Sequence, residues 1–329
     1  MKKVRFGILS TAKIGRQKVI PALQKGNHTE VVAIASRSKE SAQAVADELS
    51  IPKVYDSYEK LLSDKSIDAV YIPLPNHLHV EWTIKAMNKD KHVLCEKPMG
   101  LTGDEVNKVI NATVMAPDVK VMEGFMYRHH PQWIEAKRLV DAGEIGELTT
   151  IQSFFSYCNT DPGNIRNKPE MGGGALMDIG CYPISLSRFI FGAQPGKVLG
   201  SMDKAPEFGT DRTFTGLMDF GGRISSFTCS TQTAPYQRVN IVGSTGRIEI
   251  MIPFNAPPDQ PCEIILQQDK ESRSITFDSC DQYTLQGDAF AKAILDDTPP
   301  PTTIMDAFEN MHTLDALVAS AESGSWKGC

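Results

Sequence analysis

The sequence predicts two sheets in succession: a doubly wound parallel α/β sheet, then an open, mainly antiparallel sheet covered by helices on one face. Three observations carry this. Strand and helix patterns alternate with short connections as far as residue 122, which calls for parallel strands joined by crossover helices. From residue 123, runs of strand character follow one another, several alternating polar and apolar residues, with hairpin signals at Gly221-Gly222 and Ser244-Thr245-Gly246. A chain of 329 residues with 41% hydrophobic content is long for one core and enough to fill two. The expected domains are therefore 1–122 and 123–329.

In order, apolar runs give strands at Lys3 to Leu9, Val31 to Ala35, Ile51 to Tyr55, Ala69 to Pro73 and Val93 to Cys95, and a last one at Lys120 to Met122. Helical spacing fills the intervals at roughly 14–25, Lys39 to Leu49, Tyr58 to Ser63, His79 to Asn88 and Thr102 to Val114. A helix at Pro131 to Ala142 opens the second half. Strand runs follow at 148–157, 197–202, 213–220, 224–233, 237–243, 247–252, 263–267 and 274–277, and helical patterns at 285–295 and 304–320 close the chain. Pro299-Pro300-Pro301 is a stiff spacer between the last two helices.

The formal charge of -6, with Lys and Arg dispersed, argues against nucleic acid and anionic membrane and for a small solute as ligand. Met1-Lys2-Lys3 imitates a signal n-region, but the apolar Val4 to Ile8 is too short, and no run approaches the ~20 residues of a spanning helix. A cytoplasmic protein is expected. The seven cysteines are an odd number without C-x-x-C spacing, which speaks against a disulfide framework or a cysteine zinc site.

Lys97 is the residue around which the first half is organised. The run Val93-Leu94-Cys95-Glu96-Lys97-Pro98 reads as a buried parallel strand stopped at its carboxyl end by proline, and ligands of open α/β sheets bind at carboxyl ends. After the first strand, Ser10-Thr11-Ala12-Lys13-Ile14-Gly15 aligns with the dinucleotide fingerprint G-x-G-x-x-G and keeps only its third glycine. An ordinary strand-to-helix turn is the competing reading of that motif. Its position as the first turn of the series favours a cofactor role for Ser10, Thr11, Ala12, Lys13 and Ile14, with hydroxyls donating to phosphate. The second strand ends at Ser36-Arg37-Ser38-Lys39 with no acid for a ribose hydroxyl; Ser36, Arg37 and Lys39 suit a 2′-phosphate instead, so NADP is expected ahead of NAD.

Glu96-Lys97-Pro98, followed by Gly172-Gly173-Gly174-Ala175-Leu176-Met177-Asp178-Ile179-Gly180-Cys181-Tyr182, resembles the glucose-fructose oxidoreductase / inositol dehydrogenase / MocA family over essentially the whole chain. Tyr127 to Pro131, Asp161 to Asn167 and the tyrosine at 182 are most similar to its aldose-oxidising branch, the aldose-aldose oxidoreductases and NADP-dependent D-xylose dehydrogenases. The resemblance implies a Rossmann domain, a substrate-binding and oligomerisation domain, a homodimer or homotetramer through the second sheet, and cofactor contacts in Leu74-Pro75-Asn76-His77-Leu78-His79 from Leu74, Asn76 and His79, with Glu96 beside them. Two departures are the degraded fingerprint and Tyr182 where much of the family has histidine.

The chemistry asks for these residue types on its own account. Oxidising a sugar at C1 sends hydride to nicotinamide and a proton to a base, and needs positive charge at the reacting oxygen. Tyr182 can accept the proton once a cation lowers a pKa that is ~10 when free, and Lys97 supplies that charge. Asp178, four residues earlier, binds a sugar hydroxyl or orients Lys97 if the segment is helical; Gly180 and Pro183 oppose a regular helix, so a kink or a start near Tyr182 is the alternative. Asn164, Ile165 and Arg166 form a loop capping the sugar. Arg128 contacts substrate or cofactor, or else makes a salt bridge, and Tyr283 leans into the cleft or packs. A metal at His77 and His79, or at His129 and His130, lacks acidic or cysteine partners at ligand spacing. The reading is an NADP-dependent aldose oxidoreductase with a sugar as partner; a non-catalytic NADP or sugar sensor and a trans-dihydrodiol dehydrogenase are the alternatives.

Overall fold

The computed structural model describes residues 2–329. They pack as two compact units, Met1–Met126 with Gln282–Phe308, and Tyr127–Asp281 with Glu309–Cys329. The cut expected at 122/123 thus falls a few residues later, and residues 282–308 return to the first unit instead of remaining with the second.

The first unit is built on a six-stranded sheet of β1 (Val4–Leu9), β2 (Thr29–Ala35), β3 (Lys53–Tyr55), β4 (Ala69–Ile72), β5 (His92–Glu96) and β6 (Val121–Gly124), in the order β3-β2-β1-β4-β5-β6. All its pairings are parallel. The strand order reverses between β1 and β4, so the chain ends of β1, β2, β4 and β5 converge at one carboxyl edge, the usual ligand crevice of a Rossmann sheet. Burial on both faces explains the near-continuous apolar strands: all of β4 is buried. Ser38, Ser57 and Thr102 cap the helices Lys39–Leu49, Tyr58–Leu62 and Gly103–Met115 by accepting backbone N–H bonds from Ser41, Lys60 and Glu105. The helix Gln282–Leu295 belongs to this core. Phe290 packs on Phe6 with ring centroids 6.4 Å apart, and the Asp288 carboxylate accepts the backbone N–H groups of Asn27 and His28 at 2.9 and 2.8 Å.

The second unit holds a nine-stranded sheet made of β7 (Leu148–Cys158), β8 (Lys197–Lys204), β9 (Asp211–Asp219), β10 (Ile224–Ser230), β11 (Gln232–Gly243), β12 (Gly246–Ile250), β13 (Cys262–Gln268), β14 (Glu271–Phe277) and the two-residue β15 (Lys327–Gly328). The order is β14-β13-β12-β11-β7-β10-β9-β8-β15. Only β7 and β10 run parallel; every other neighbour is antiparallel. The helices Pro131–Asp141 and Cys181–Phe191 pack against β13 and β7. Among the described residues no helix is long and apolar enough to cross a membrane.

The segment left open between a kink and a late helix start proves to be both. Leu176–Gly180 forms a π turn that hands over to the α-helix Cys181–Phe191. The missing N–H of Pro183 falls at that handover, where an α-helical bond is not available to lose. Asp178 lies in the π turn and Tyr182 in the α-helix, so the i,i+4 spacing of a regular α-helix does not apply across them. Gly180 is set by packing, since a Cβ there would stand 2.9 Å from Cys229 Sγ on β10.

Candidate active site

At the carboxyl edge of the first sheet, Ser10 occupies the place of the fingerprint's first glycine and retains a glycine's conformation, with φ at 127°. A serine held there costs on the order of 1–3 kcal/mol. Part of that is offset because Ser10 Oγ accepts the Ala12 backbone N–H at 3.0 Å, and the Ser10 N–H itself donates to the Ala35 carbonyl at 3.0 Å. The helix that follows opens with Arg16 N–H on the Ala12 carbonyl, so the amides of Lys13 and Ile14 precede its first bond, an arrangement that accepts phosphate. The residues therefore fit a dinucleotide even though two glycines are absent. Gly15 is not demanded by contact, because a Cβ there would meet Pro73 and Tyr71 at 3.5 and 3.6 Å. Ile14 packs partly on the core, while Lys13, Arg37 and Lys39 are exposed. Ser36 is buried and its Oγ accepts the Ser38 N–H at 3.3 Å. Tyr58, which sequence reasoning passed over, hydrogen-bonds the Ser10 side chain; burial raises its pKa and the Arg37 charge opposes the rise.

On the neighbouring strands, Leu74 is buried and Asn76 opens a short 3-10 turn, Asn76–Leu78. Glu96 accepts a 2.6 Å hydrogen bond from the buried Tyr71 hydroxyl, and Lys97, half-buried, begins a cis peptide to Pro98. His79 departs from its expected post. Its ring is fully buried, with Nδ1 2.7 Å from the Pro98 carbonyl and Nε2 2.7 Å from the Leu74 carbonyl, so both nitrogens are engaged by backbone and neither is offered to a cofactor. Tyr283 packs against the hydrophobic core of the first unit, the packing alternative of the two foreseen.

The second unit gathers the other expected residues. Tyr182 is buried among aromatic rings, with centroids 5.2 Å from Phe254, 5.7 Å from Phe155 and 5.9 Å from Tyr127. Asp178 Oδ2 accepts both the Tyr157 hydroxyl at 2.5 Å and Arg166 Nε at 2.9 Å. The Asp178 charge raises the Arg166 pKa, and burial followed by the same carboxylate raises that of Tyr157. The glycine tract explains how the loop reaches Asp178. Gly173 and Gly174 N–H groups donate to the Lys168 and Arg166 carbonyls at 3.0 and 2.8 Å, and a Cβ on Gly173 would press into the Arg166 carbonyl at 2.5 Å. Gly174 has φ of +116° and leaves room for the Asp211 carboxylate, which accepts the Leu176 N–H at 2.7 Å. Desolvation pushes the pKa of Asp211 up to about 7. Asn164 caps the turn Ile165–Asn167 by accepting the Arg166 N–H at 3.1 Å, and Ile165 is exposed.

Arg128 is committed within the protein: Nε donates to Ser185 Oγ at 3.1 Å and Nη2 to Ser185 Oγ and O at 2.8 and 3.0 Å. Through Ser185 it braces the helix Cys181–Phe191. His130 caps the helix Pro131–Asp141 through Nδ1; burial lowers the pKa of His129 and His130 to about 4. Among the described residues no group of three His, Cys, Asp or Glu could hold a metal ion. Tyr157, Ser185 and Asp211 were not foreseen. A tyrosine at the end of a long strand and an aspartate opening another carry no spacing signal, because each meets Asp178 or its turn only through tertiary structure.

Residues 4–125 match an oxidoreductase family with an NAD-binding Rossmann fold, and residues 133–249 match the GFO/IDH/MocA C-terminal domain. D-xylose 1-dehydrogenase (NADP(+)) 2 of Haloferax volcanii is 40% identical over 97% of this chain and 98% of its own. The chain belongs to the Gfo/Idh/MocA oxidoreductase family. It is also similar in structure to KijD10, a 3-ketoreductase from Actinomadura kijaniata in complex with NADP and TDP-benzene, with a TM-score of 0.91 and 28% identity over 97% of this chain and 98% of that one. Aldose-aldose oxidoreductase from Caulobacter crescentus shares the fold, with a TM-score of 0.93 at 24% identity over the whole of both chains. As a Gfo/Idh/MocA member this protein is an enzyme with an NAD(P)-binding Rossmann domain, and the family includes sugar dehydrogenases and reductases of sugar derivatives.

Proposed function

We propose that this oxidoreductase is an NADP-dependent aldose oxidoreductase acting at C1 of a sugar. The observation that carries the reading is the Tyr157–Asp178–Arg166 cluster on the unit that also holds Tyr182: a compensated carboxylate with hydroxyl and guanidinium around it suits a polyol and disfavours an aromatic diol. The NADP-dependent xylose dehydrogenase at 40% identity supports the same choice. Ser10 to Ile14 and Ser36-Arg37 would hold the dinucleotide, with Arg37 on the 2′-phosphate. When bound, the nicotinamide supplies the hydride chemistry. Tyr182 takes the proton of the C1 hydroxyl, Lys97 donates to that oxygen and stabilises the negative charge that grows on it, and Asp178 binds a neighbouring hydroxyl. The second sheet forms the contact between copies in a homodimer or homotetramer.

The test starts with the protein as purified: it is denatured and the supernatant is analysed by mass for nicotinamide dinucleotides, then fresh protein is given a panel of aldoses with free NADP or NAD while NADPH absorbance is followed. Reduction of free NADP by an aldose establishes a dehydrogenase. Stoichiometric NADP(H) in the supernatant with no signal from single sugars indicates hydride passed from one sugar to another. Tyr182→Phe should abolish either activity; binding of NADP without turnover on any sugar, unaltered by that substitution, would overturn the reading.

A further inference from the structure

Catalysis by a lysine at the end of a strand depends on the backbone around it keeping its place, and one buried side chain holds that backbone directly. His79 opens the helix His79–Met87 with its ring fully buried. Its two nitrogens reach the loops that follow β4 and β5, meeting Leu74 O and Pro98 O at 2.7 Å each. Pro98 is the residue after Lys97. Two carbonyls at that distance each want an N–H, and a neutral imidazole has one. Burial disfavours the doubly protonated ring and lowers its pKa to about 4, outweighing the opposite pull of the Pro98 and Leu74 carbonyls, with the Lys97 charge adding to the fall. At neutral pH the ring therefore donates to one carbonyl at a time.

We infer that His79 is a positioning residue for Lys97, acting through a hydrogen bond from Nδ1 to the Pro98 carbonyl. The inference rests on the role given to Lys97 above. A ring that only filled space would not need both polar edges in line with carbonyls from two separate loops. A ring bound to a cofactor would not be at zero exposure with both nitrogens taken.

The first test uses the unaltered protein with 15N-labelled histidine. Ring-nitrogen shifts are expected to place the His79 proton on Nδ1; a proton on Nε2 overturns the inference, because the ring would then hold Leu74 alone. The second uses a pair of isosteres. His79→Asn puts an amide nitrogen where Nδ1 stands, and His79→Gln puts one where Nε2 stands. Each keeps one amide donor toward one of the two carbonyls and gives up the other polar edge of the ring, so a purely structural role predicts equal effects. Positioning of Lys97 predicts that its rate of trinitrophenylation, read by peptide mass, stays near the parent value in His79→Asn and changes about fivefold in His79→Gln, the worth of one hydrogen bond of ~1 kcal/mol. Turnover should follow the same split, with kcat lowered in His79→Gln and the KM for sugar retained. Equal labelling rates in the two variants would sink the proposal. Should Lys97→Met keep full turnover, the catalytic reading of Lys97 fails, while the labelling comparison and the tautomer still decide whether His79 holds it.

Discussion

The two expected catalytic segments are held in different ways. Lys97 stands at the end of β5, fixed by a parallel ladder on both sides and by a histidine gripping the carbonyl of the next residue. Asp178 stands on a π turn, fixed by side chains that arrive from a strand end, a loop and the start of another strand: Tyr157, Arg166 and Asp211. The first arrangement is made of backbone and the second of tertiary side-chain contacts. A backbone-held group can be altered with little damage to the fold, whereas a group held by side chains shares its energy with stability.

Lys97→Met should sharpen that contrast most. Loss of the ammonium is expected to lower kcat about 10³-fold, ~4 kcal/mol, with the denaturation midpoint unchanged. Steady-state kinetics beside urea titration checks it, and an equally large loss of stability would erase the distinction. Gly174→Ala should do the reverse. An alanine at φ of +116° facing the Asp211 carboxylate is expected to cost about 3 kcal/mol of stability, read by urea unfolding, with turnover falling as Asp178 loses its turn.

A smaller effect comes with pH. Asp211 has a folded pKa raised to about 7, so between about 4 and 7 the folded chain holds a proton that the unfolded chain has released, and stability falls as pH rises through that window. His129 and His130, lowered to about 4, act in the opposite sense and add stability as pH rises from about 4 to 6.5. Asp211→Asn removes only the first contribution. The difference between variant and parent unfolding curves should slope by at most ~1.4 kcal/mol per pH unit, and a flat difference would remove Asp211 from the account. Arg37→Ser should matter least: an exposed cation on a phosphate is worth about 1 kcal/mol, so kcat/KM with NADP should fall about fivefold and that with NAD should hold.

The same contrast explains what could be read in the sequence. Strand periodicity with a proline stop puts Lys97 at a carboxyl edge, and the alternation of elements gives the order of the first sheet, because both are local or follow from chain connectivity. The conformation of Ser10 is not readable, since a serine at φ of 127° breaks the rule by which glycine would announce it. Nor is the post of His79: the same residue type in the same motif can face a ligand or two carbonyls, and only the path of the Pro98 loop decides. Tyr157 and Asp211 contribute through contacts closed by folding, 21 and 35 residues along the chain from their partners. Arg128 next to two histidines looks like part of a binding site, and its service to Ser185 depends on a helix that the sequence leaves undecided.

The return of residues 282–308 to the first unit bears on how the protein is made. A ribosome delivers Met1–Met126 first and must then produce everything from Tyr127 to Asp281 before the helix bearing Phe290 and Asp288 emerges. At about 5–20 residues per second that interval lasts between about 8 and 30 s. Throughout it, the apolar surface of Phe6 and Leu23 and the backbone amides of Asn27 and His28 await their cover. The nascent chain therefore carries a half-finished nucleotide fold through the whole synthesis of β7 to β14, a natural customer for chaperones that shield apolar segments at the tunnel exit, and it cannot close its first core until the helix Gln282–Leu295 has emerged.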